Sequence, residues 1–583
     1  MKFSSLIQIL LYLALFSLTS AHAVEEDLAP ESATGLQENV RAVEHQSLVV
    51  SAHPLATKAG LDVLKQGGTA ADAAVAVQAM LTLVEPQSSG IGGGAFLLYW
   101  DQNSKKLHAY DGRETAPLNA DQHLFYQDNK PMPWIKALVG GRSVGTPGVL
   151  KMLELAHNNH GALSWKQLFN DAIETSEQGF KVTPRLHKLI ASRINPGLDR
   201  YPAGRNYFFL ENGEPLPIGF TRTNAPLAKS LRLIANQGTD AFYKGPLSAE
   251  IAQHVSQIED NPGLLTQKDL ANYQAVERDP ICLPYLTYTL CGFPPPTSGG
   301  ITVLQILKLL EHTDYSDLDP NSAQAKHLFT QASRLAFADR GRYLADSDFV
   351  DVPTRELLDP SYLKQRATLI NETKDLGPAK PGQPQGITLS QADDRSPELP
   401  STSHFVVVDK WGNAVSITSS IEMAFGSTLM VGGFLLNNQL TDFSFVASDQ
   451  GKLIANRVQP GKRPRSSMSP FMIFDADGNL HAAVGSPGGS RIINYVAESL
   501  LFMLNSKLSL QDAINQPHVS NRNGLTELEA GTAAVNLQTA LETLGHQIKV
   551  RDLNSGLHAF RRLPNGKWES GVDKRREGLA LGE

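Results

Sequence analysis

The chain has 583 residues and carries 52 Lys and Arg against 59 Asp and Glu, a formal net charge of −7. That length is far beyond one small core and calls for two large lobes or one large layered domain. The acidic balance leaves no basic field for nucleic acid and no polybasic patch for a membrane surface, so a small molecule is the expected partner.

The opening residues, MKFSSLIQILLYLALFSLTSAHA, join a lysine to a short apolar run and end in Ala21-His22-Ala23, a small-residue cleavage pattern. The apolar run from Ile7 to Leu18 is shorter than the ~20 residues a membrane span needs. Residues 1–23 therefore read as a signal peptide, no membrane anchor is expected, and the destination is periplasmic or extracellular. After a polar lead, "VSAHPLATKAGLDVLKQGGTAADAAVAVQAMLTLVEPQSSGIGGG" predicts two helices around the Gly67-Gly68 turn, closed by a glycine-rich loop. The second helix is apolar almost all round and should be central. Amphipathic helical stretches dominate from about Val149 to Ser256, among them "APLAKSLRLIANQG" with glycine at its end.

The only two cysteines, Cys282 and Cys291, lie in "ICLPYLTYTLCGF". A fold-back around Tyr285 to Tyr288 would set their sulfurs across from each other, and an exported chain meets an oxidising compartment, so a disulfide is expected. A metal site, which two ligands do not complete, and two buried thiols are the alternatives. The turn "PPPTSGG" precedes a further helical stretch, "AKHLFTQASRLAFADRGRYLA". Residues 376–400 are rich in Pro, Gly and Asp, show no periodicity, and read as an exposed linker ending just before Thr402.

Beyond the linker the pattern changes to strands. HFVVVD, the turn KWGN and AVSITSS form one hairpin; FMIFDA, the turn DGN and LHAAVGS form another. Hairpins and helices on one long chain argue α+β layers. A first turn centred on Trp411 sets Thr402 opposite Ser420 and His404 opposite Thr418, and a second centred on Asp477 sets Ser466 opposite Gly488. A threonine hydroxyl is a poor nucleophile unless a base takes its proton, and a free α-amino group, with a pKa of about 7.7 to 8.0, is such a base. Cutting the chain before Thr402 would create one. A plain strand with ordinary hydroxyls is the alternative that the hairpin alone leaves open.

Several other patterns carry less. "SYLK" at Ser361 to Lys364 has the S-x-x-K spacing of penicillin-recognising enzymes without their companion motifs, and reads better as a helix start after Asp359-Pro360. "HNNH" at His157 to His160 lacks a third ligand and reads as solvated histidines, so no metal is expected there. "GIGGG" from Gly90 lacks the Lys-Ser/Thr of a phosphate loop and reads as tight packing. No G-x-S-x-G elbow is present.

Taken in order, "GGTAADAAVAV", "YDGRETAP", "PPPTSGG", "TSHFVVVDKWGNAVSITSSIEMAFGS", "LLNNQLTDFSF", "KRPRSSMSP" and "GSPGGSRI" resemble the gamma-glutamyltranspeptidases, N-terminal-nucleophile hydrolases made as one precursor. The resemblance runs from about Val49 to the final "DKRREGLALGE". It implies a four-layer αββα sandwich and autocleavage between Ser401 and Thr402, giving a large subunit (24–401) and a small catalytic subunit (402–583) that remain a heterodimer. Thr402 is then nucleophile and, through its new amine, base. Ser420 stands where the family has a second threonine, and the N–H groups of Gly488 and Gly489 match its oxyanion hole. Arg113, Ser466 and Ser467 match the side that holds a substrate α-carboxylate; Gln439, Asp442 and Glu422 match the side that holds its α-ammonium. The family commonly has Asn where this chain has Glu422. The implied activity is hydrolysis or transfer of γ-glutamyl groups from glutathione and related amides to water, an amino acid or a dipeptide, with no cofactor. A glutaryl or cephalosporin acylase on the same scaffold, kept open by Glu422, and a non-catalytic binding protein are the rival expectations.

Overall fold

The computed structural model describes residues 42–388, 391–394, 396 and 401–583. The expected leader at 1–23 lies outside them. Among the described residues no helix is long and apolar enough to cross a membrane.

Two antiparallel seven-stranded sheets lie face to face between layers of helices, an α+β sandwich of αββα order. The first sheet comprises β1 (Leu48–Ser51), β2 (Gly94–Asp101), β3 (Lys106–Gly112), β4 (Val276–Arg278), β5 (Ser403–Val408), β6 (Ala414–Ser420) and β7 (Leu579–Gly582). Its spatial order is β7-β1-β5-β6-β2-β3-β4. The second sheet runs Glu44–His45, Trp568–Val572, His558–Arg562, Leu480–Gly485, Phe471–Phe474, Tyr288–Gly292, Ile281–Tyr285.

Alternation along the central strands divides the core. Leu97, Tyr99, Phe405, Val407, Val415 and Ile417 face one helical layer, whereas Phe96, Leu98, Trp100, Val406, Val408 and Ala414 face the second sheet. With both faces covered, these strands read as apolar runs rather than as an apolar and polar alternation. Helices α1 (Pro54–Lys65) and α2 (Ala70–Val84) cover the first sheet. Thr69 and Asp72 form a reciprocal capping box at the start of α2, which satisfies donors that a helix start leaves orphaned. All fifteen residues of α2 are buried, as its apolar circumference predicts. Helices α3 (Gly299–Leu310), α4 (Ala323–Tyr343) and α5 (Ile492–Asn505) form the opposite outer layer.

Cys282 and Cys291 are directly paired across their hairpin and joined by a disulfide. Asp359 caps the helix Pro360–Ala367 by accepting from the N–H groups of Ser361 and Tyr362, which accounts for "SYLK". The histidines of "HNNH" are not simply solvated: His157 bonds the Leu163 carbonyl at 2.9 Å, and His160 bonds the Tyr110 hydroxyl at 2.7 Å while stacking on Tyr99.

The linker expectation needs correcting in one place. Gln391–Ala392 pairs in parallel with Leu453–Ile454, and Ala392 and Asp394 are buried. Composition signals the lack of periodicity, but it does not show that a polar segment has a polar groove to enter.

Candidate active site

The hairpin β5–β6 has the expected register, with His404 opposite Thr418 and Ser403 opposite Ser419. This brings Thr402 and Ser420 together at its open end. The Thr402 hydroxyl donates to the carbonyl oxygen of Ser401 and lies 3.3 Å from Ser420 Oγ. Ser420 Oγ donates to the same carbonyl at 3.0 Å and accepts the Glu422 N–H at 2.9 Å. Ser401 Oγ is anchored on the Gln87 carbonyl at 2.7 Å, and Arg576 Nη1 donates to the Thr402 carbonyl at 3.0 Å. The peptide between residues 401 and 402 is thus gripped on both sides.

No histidine among the described residues is hydrogen-bonded to the Thr402 hydroxyl. His404 is fully buried on the Thr418 hydroxyl, and burial first, then the neighbouring His558, hold its pKa well below the ordinary range. The glycine run beside the hairpin is a close-approach device. A Cβ on Gly93 would meet the Ser420 carbonyl oxygen at 2.1 Å, and one on Gly92 would meet the Leu435 carbonyl oxygen at 2.1 Å.

Arg113, just past the end of β3, is completely buried. Its Nη2 is ion-paired with Asp442 and also donates to the Arg465 carbonyl at 3.0 Å, while Nε donates to the Pro464 carbonyl at 3.2 Å. Its Nη1 has no hydrogen-bond acceptor among the described residues. Burial disfavours the guanidinium charge, but Asp442, Glu114 and Glu422 outweigh it and raise its pKa. Gln439 Nε2 bridges the two nearby carboxylates, donating to Glu422 at 2.7 Å and to Asp442 at 3.2 Å. The groups expected on opposite sides of a substrate therefore form one charged cluster.

Glu114 behaves differently from Asp442. Its Oε2 lies 3.6 Å from Arg113 Nη1, but neither carboxylate oxygen makes a hydrogen bond among the described residues. Burial prevails over the attraction of Arg113 and pushes its pKa up to about 8. Between the ordinary glutamate value of 4.5 and about 8, the folded chain holds a proton that the unfolded chain has released, so this group makes stability decline as pH rises through that window. Glu114→Gln removes that titration, and its thermal midpoint is expected to fall less than that of the wild type across the same window. Parallel curves would show that Glu114 is already ionised in the folded state.

Glu422 sits at φ 77°, in the left-handed region, and Phe425 and Thr428 follow at 66° and 63°. Such residues persist only where their surroundings hold them. Asn195, itself buried, supplies part of that hold: its Nδ2 donates to the carbonyls of Ala424 and Gly426, both at 2.9 Å. Asn195→Ala leaves both carbonyls without this donor, a loss of about 1–3 kcal/mol per buried group. A clearly lowered unfolding midpoint is expected, and an unchanged one would show that the loop needs no such clamp.

Ser466 and Ser467 arrive from "KRPRSSMSP" by a route the hairpin argument did not foresee. Residues 471–473 pair with 484–482, and the register shifts at Phe474, which faces Leu480. Ser466 is not opposite Gly488; it bridges to Thr297 in the "PPPTSGG" turn instead. Arg340 of α4 donates to Ser467 Oγ at 2.7 Å and to Ser298 Oγ at 2.8 Å. Gly488 and Gly489 have φ of 132° and 62°, and a Cβ on Gly488 would strike the Tyr495 ring at 2.7 Å. Both precede α5, so their amides lie at a helix start.

One small cavity gathers the predicted set: Arg113, Thr402, Ser420, Glu422, Gln439, Asp442, Ser466, Ser467 and Gly489. Met468 and Ile492 complete its wall, and Gly488 stands just outside it. The sequence reading missed Met468, Ile492, Arg340 and Arg576. Met468 and Ile492 are next to predicted residues, and the adjacent arginines of "DKRREG" were the only hint of Arg576. Placing that arginine on Thr402 required the fold.

Residues 56–583 match the family model described as gamma-glutamyltranspeptidase. A glutathione hydrolase proenzyme of Bacillus subtilis (strain 168) is 38% identical over 93% of this chain and 92% of its own length. An acylase ACY 1 proenzyme of Pseudomonas sp. (strain SE83) is 33% identical over 89% of this chain and 90% of its own. Among solved structures, a cephalosporin acylase from Bacillus halodurans superposes with a TM-score of 0.83 at 25% identity, covering 94% of this chain and 98% of that one. The chain belongs to the gamma-glutamyltranspeptidase family.

Proposed function

We propose that this chain is an exported, self-processing γ-glutamyl hydrolase and transferase. The carrying observation is that the Thr402 hydroxyl, set against the Ser401 carbonyl and Ser420, shares one cavity with the Arg113–Asp442 pair. In maturation Thr402 Oγ1 adds to the Ser401 carbonyl carbon, the C–N bond breaks as nitrogen takes a proton, and water hydrolyses the resulting ester. The products are a carboxylate on Ser401 and a free amine on Thr402, within the large subunit 24–401 and the small subunit 402–583.

In turnover that amine takes the Thr402 hydroxyl proton as Oγ1 attacks the γ-carbonyl of glutathione or a related amide. The N–H groups of Gly488 and Gly489 receive the developing oxyanion. The amine leaves with a proton, and the γ-glutamyl ester passes to water or to the amino group of an amino acid or dipeptide. Arg113, Ser466 and Ser467 hold the substrate α-carboxylate, for which a guanidinium is suited by its donor geometry. Glu422, Gln439 and Asp442 hold the α-ammonium.

The acylase reading draws on the Pseudomonas and Bacillus halodurans relatives, and Glu422 discriminates between the two. Glutaryl anilide differs from γ-glutamyl anilide by lacking the α-amine, so it would forgo the contacts of an α-ammonium with Glu422 and Asp442. The wild type is expected to prefer the γ-glutamyl compound, and Glu422→Gln to narrow that preference about tenfold, chiefly through weaker γ-glutamyl turnover. Equal or faster hydrolysis of the glutaryl compound by the wild type would favour the acylase reading.

A further inference from the structure

Arg185 stands just after the proline that opens the helix Pro184–Ser192 and does not line the cavity. Its side chain is nonetheless completely buried. Nε is ion-paired at 3.2 Å with Glu85, a buried carboxylate at the end of α2, and Nη2 donates to Ser88 Oγ at 3.2 Å. Its backbone N–H donates to Glu577 Oε1 at 2.8 Å. An arginine is seldom fully buried without fixed partners, because an uncompensated buried charge is strongly destabilising. The guanidinium therefore locks the turn from Glu85 to Ser88, which the Ser88 N–H also closes by donating to the Glu85 carbonyl at 2.9 Å.

That turn supports two parts of the site. The Gln87 carbonyl accepts from Ser401 Oγ at 2.7 Å, on the N-terminal side of the Ser401–Thr402 peptide, and from the Phe425 N–H at 3.1 Å. The Ser88 carbonyl accepts from the Ile421 N–H at 3.3 Å. Ile421 and Phe425 bracket Glu422, whose left-handed φ of 77° needs such support. On the other side of the peptide, Glu577 follows directly on Arg576, which donates to the Thr402 carbonyl at 3.0 Å. Arg185 is thus tied to both holders of the peptide, to the Gln87 turn by its side chain and to the Arg576 segment by its amide.

We propose that Arg185 is a positioning residue for both events at Thr402. Through the Glu85–Ser88 turn it sets the Ser401–Thr402 peptide for self-cleavage, and through the same turn it holds Glu422 for substrate binding. Lysine in its place would keep the charge but not donors aimed at once at Glu85 and Ser88. The inference rests on the maturation and γ-glutamyl activity proposed above.

The test follows self-cleavage of the freshly made full-length chain on a denaturing gel, beside the thermal midpoint of each variant. Arg185→Lys is expected to cleave at least about tenfold more slowly than the wild type, since small misplacements of reacting atoms cost large factors in rate. Once matured, it should show a KM for γ-glutamyl anilide raised about fivefold with kcat within about twofold. Arg334→Lys is the control for general loosening, because Arg334 of α4 is also buried and pairs through two donors with Asp375. That variant should cleave and bind as the wild type does, however far its midpoint falls. Cleavage of Arg185→Lys within about twofold of wild type, or no slower than that of Arg334→Lys, would overturn the role in maturation; an unchanged KM would overturn the role toward Glu422. If Arg185→Lys does not fold, Ser88→Ala, which removes the acceptor of Nη2, decides instead: cleavage slowed about threefold supports the inference, and wild-type cleavage overturns it. A wild type that never cleaves would refute the maturation scheme and this inference together, a result distinct from slow or normal cleavage in the variants.

Discussion

Thr402→Ala is expected to accumulate as one uncleaved chain, whereas the wild type should separate into two bands on a denaturing gel, the smaller beginning at Thr402. The methyl side chain has no oxygen to add to the Ser401 carbonyl, although Ser420, Arg576 and the Gln87 carbonyl still hold that peptide in place. Thr402→Ser retains the hydroxyl and should cleave, more slowly because the lost methyl group leaves the side chain less restricted. Turnover of a γ-glutamyl anilide should drop to background in Thr402→Ala, since nucleophile and base are both lost with the uncut peptide. A wild-type preparation with no chain starting at Thr402 would overturn both the maturation and the catalytic scheme. A non-catalytic binding protein would give that result.

Arg113→Ala is expected to lower kcat/KM for γ-glutamyl anilide by about 30-fold or more, because truncating one partner of a buried charge pair costs on the order of 2–5 kcal/mol. The structure shows where the loss arises: Asp442 keeps Gln439 but loses its guanidinium partner. Self-cleavage should survive, because Arg113 makes no hydrogen bond to Ser401, Thr402 or Ser420 among the described residues. Arg113→Lys should recover only part of the activity, since an ammonium does not reproduce donors directed at once to Asp442 and to the Arg465 and Pro464 carbonyls. Turnover unchanged in Arg113→Ala would remove this residue from the substrate site.

Local patterns account for much of what could be read before the fold was known. The KWGN turn sets the pairing of HFVVVD with AVSITSS, and it is the register observed. The same logic held for Cys282 and Cys291, nine residues apart on one tight hairpin. It failed one strand later: the pairing shifts beside Phe474, the strand begins only at Phe471, and Ser466 bridges to Thr297 instead of facing Gly488, because an irregularity changes pairing without changing composition.

The sequence by itself determined the α+β character, the two hairpins, the all-buried helix Ala70–Val84 and, through motifs in order, the family and the residues that meet in the cavity. These are properties of short windows, where side-chain period and turn chemistry act over a few residues. Only the tertiary structure decided that Arg113 and Asp442 are paired, that Arg576 reaches the Thr402 carbonyl from near the end of the chain, and that Asp394 is paired with Arg465. Each of those contacts joins residues far apart in sequence, and a buried charge finds its partner according to which layers are packed together rather than by anything in its own neighbourhood.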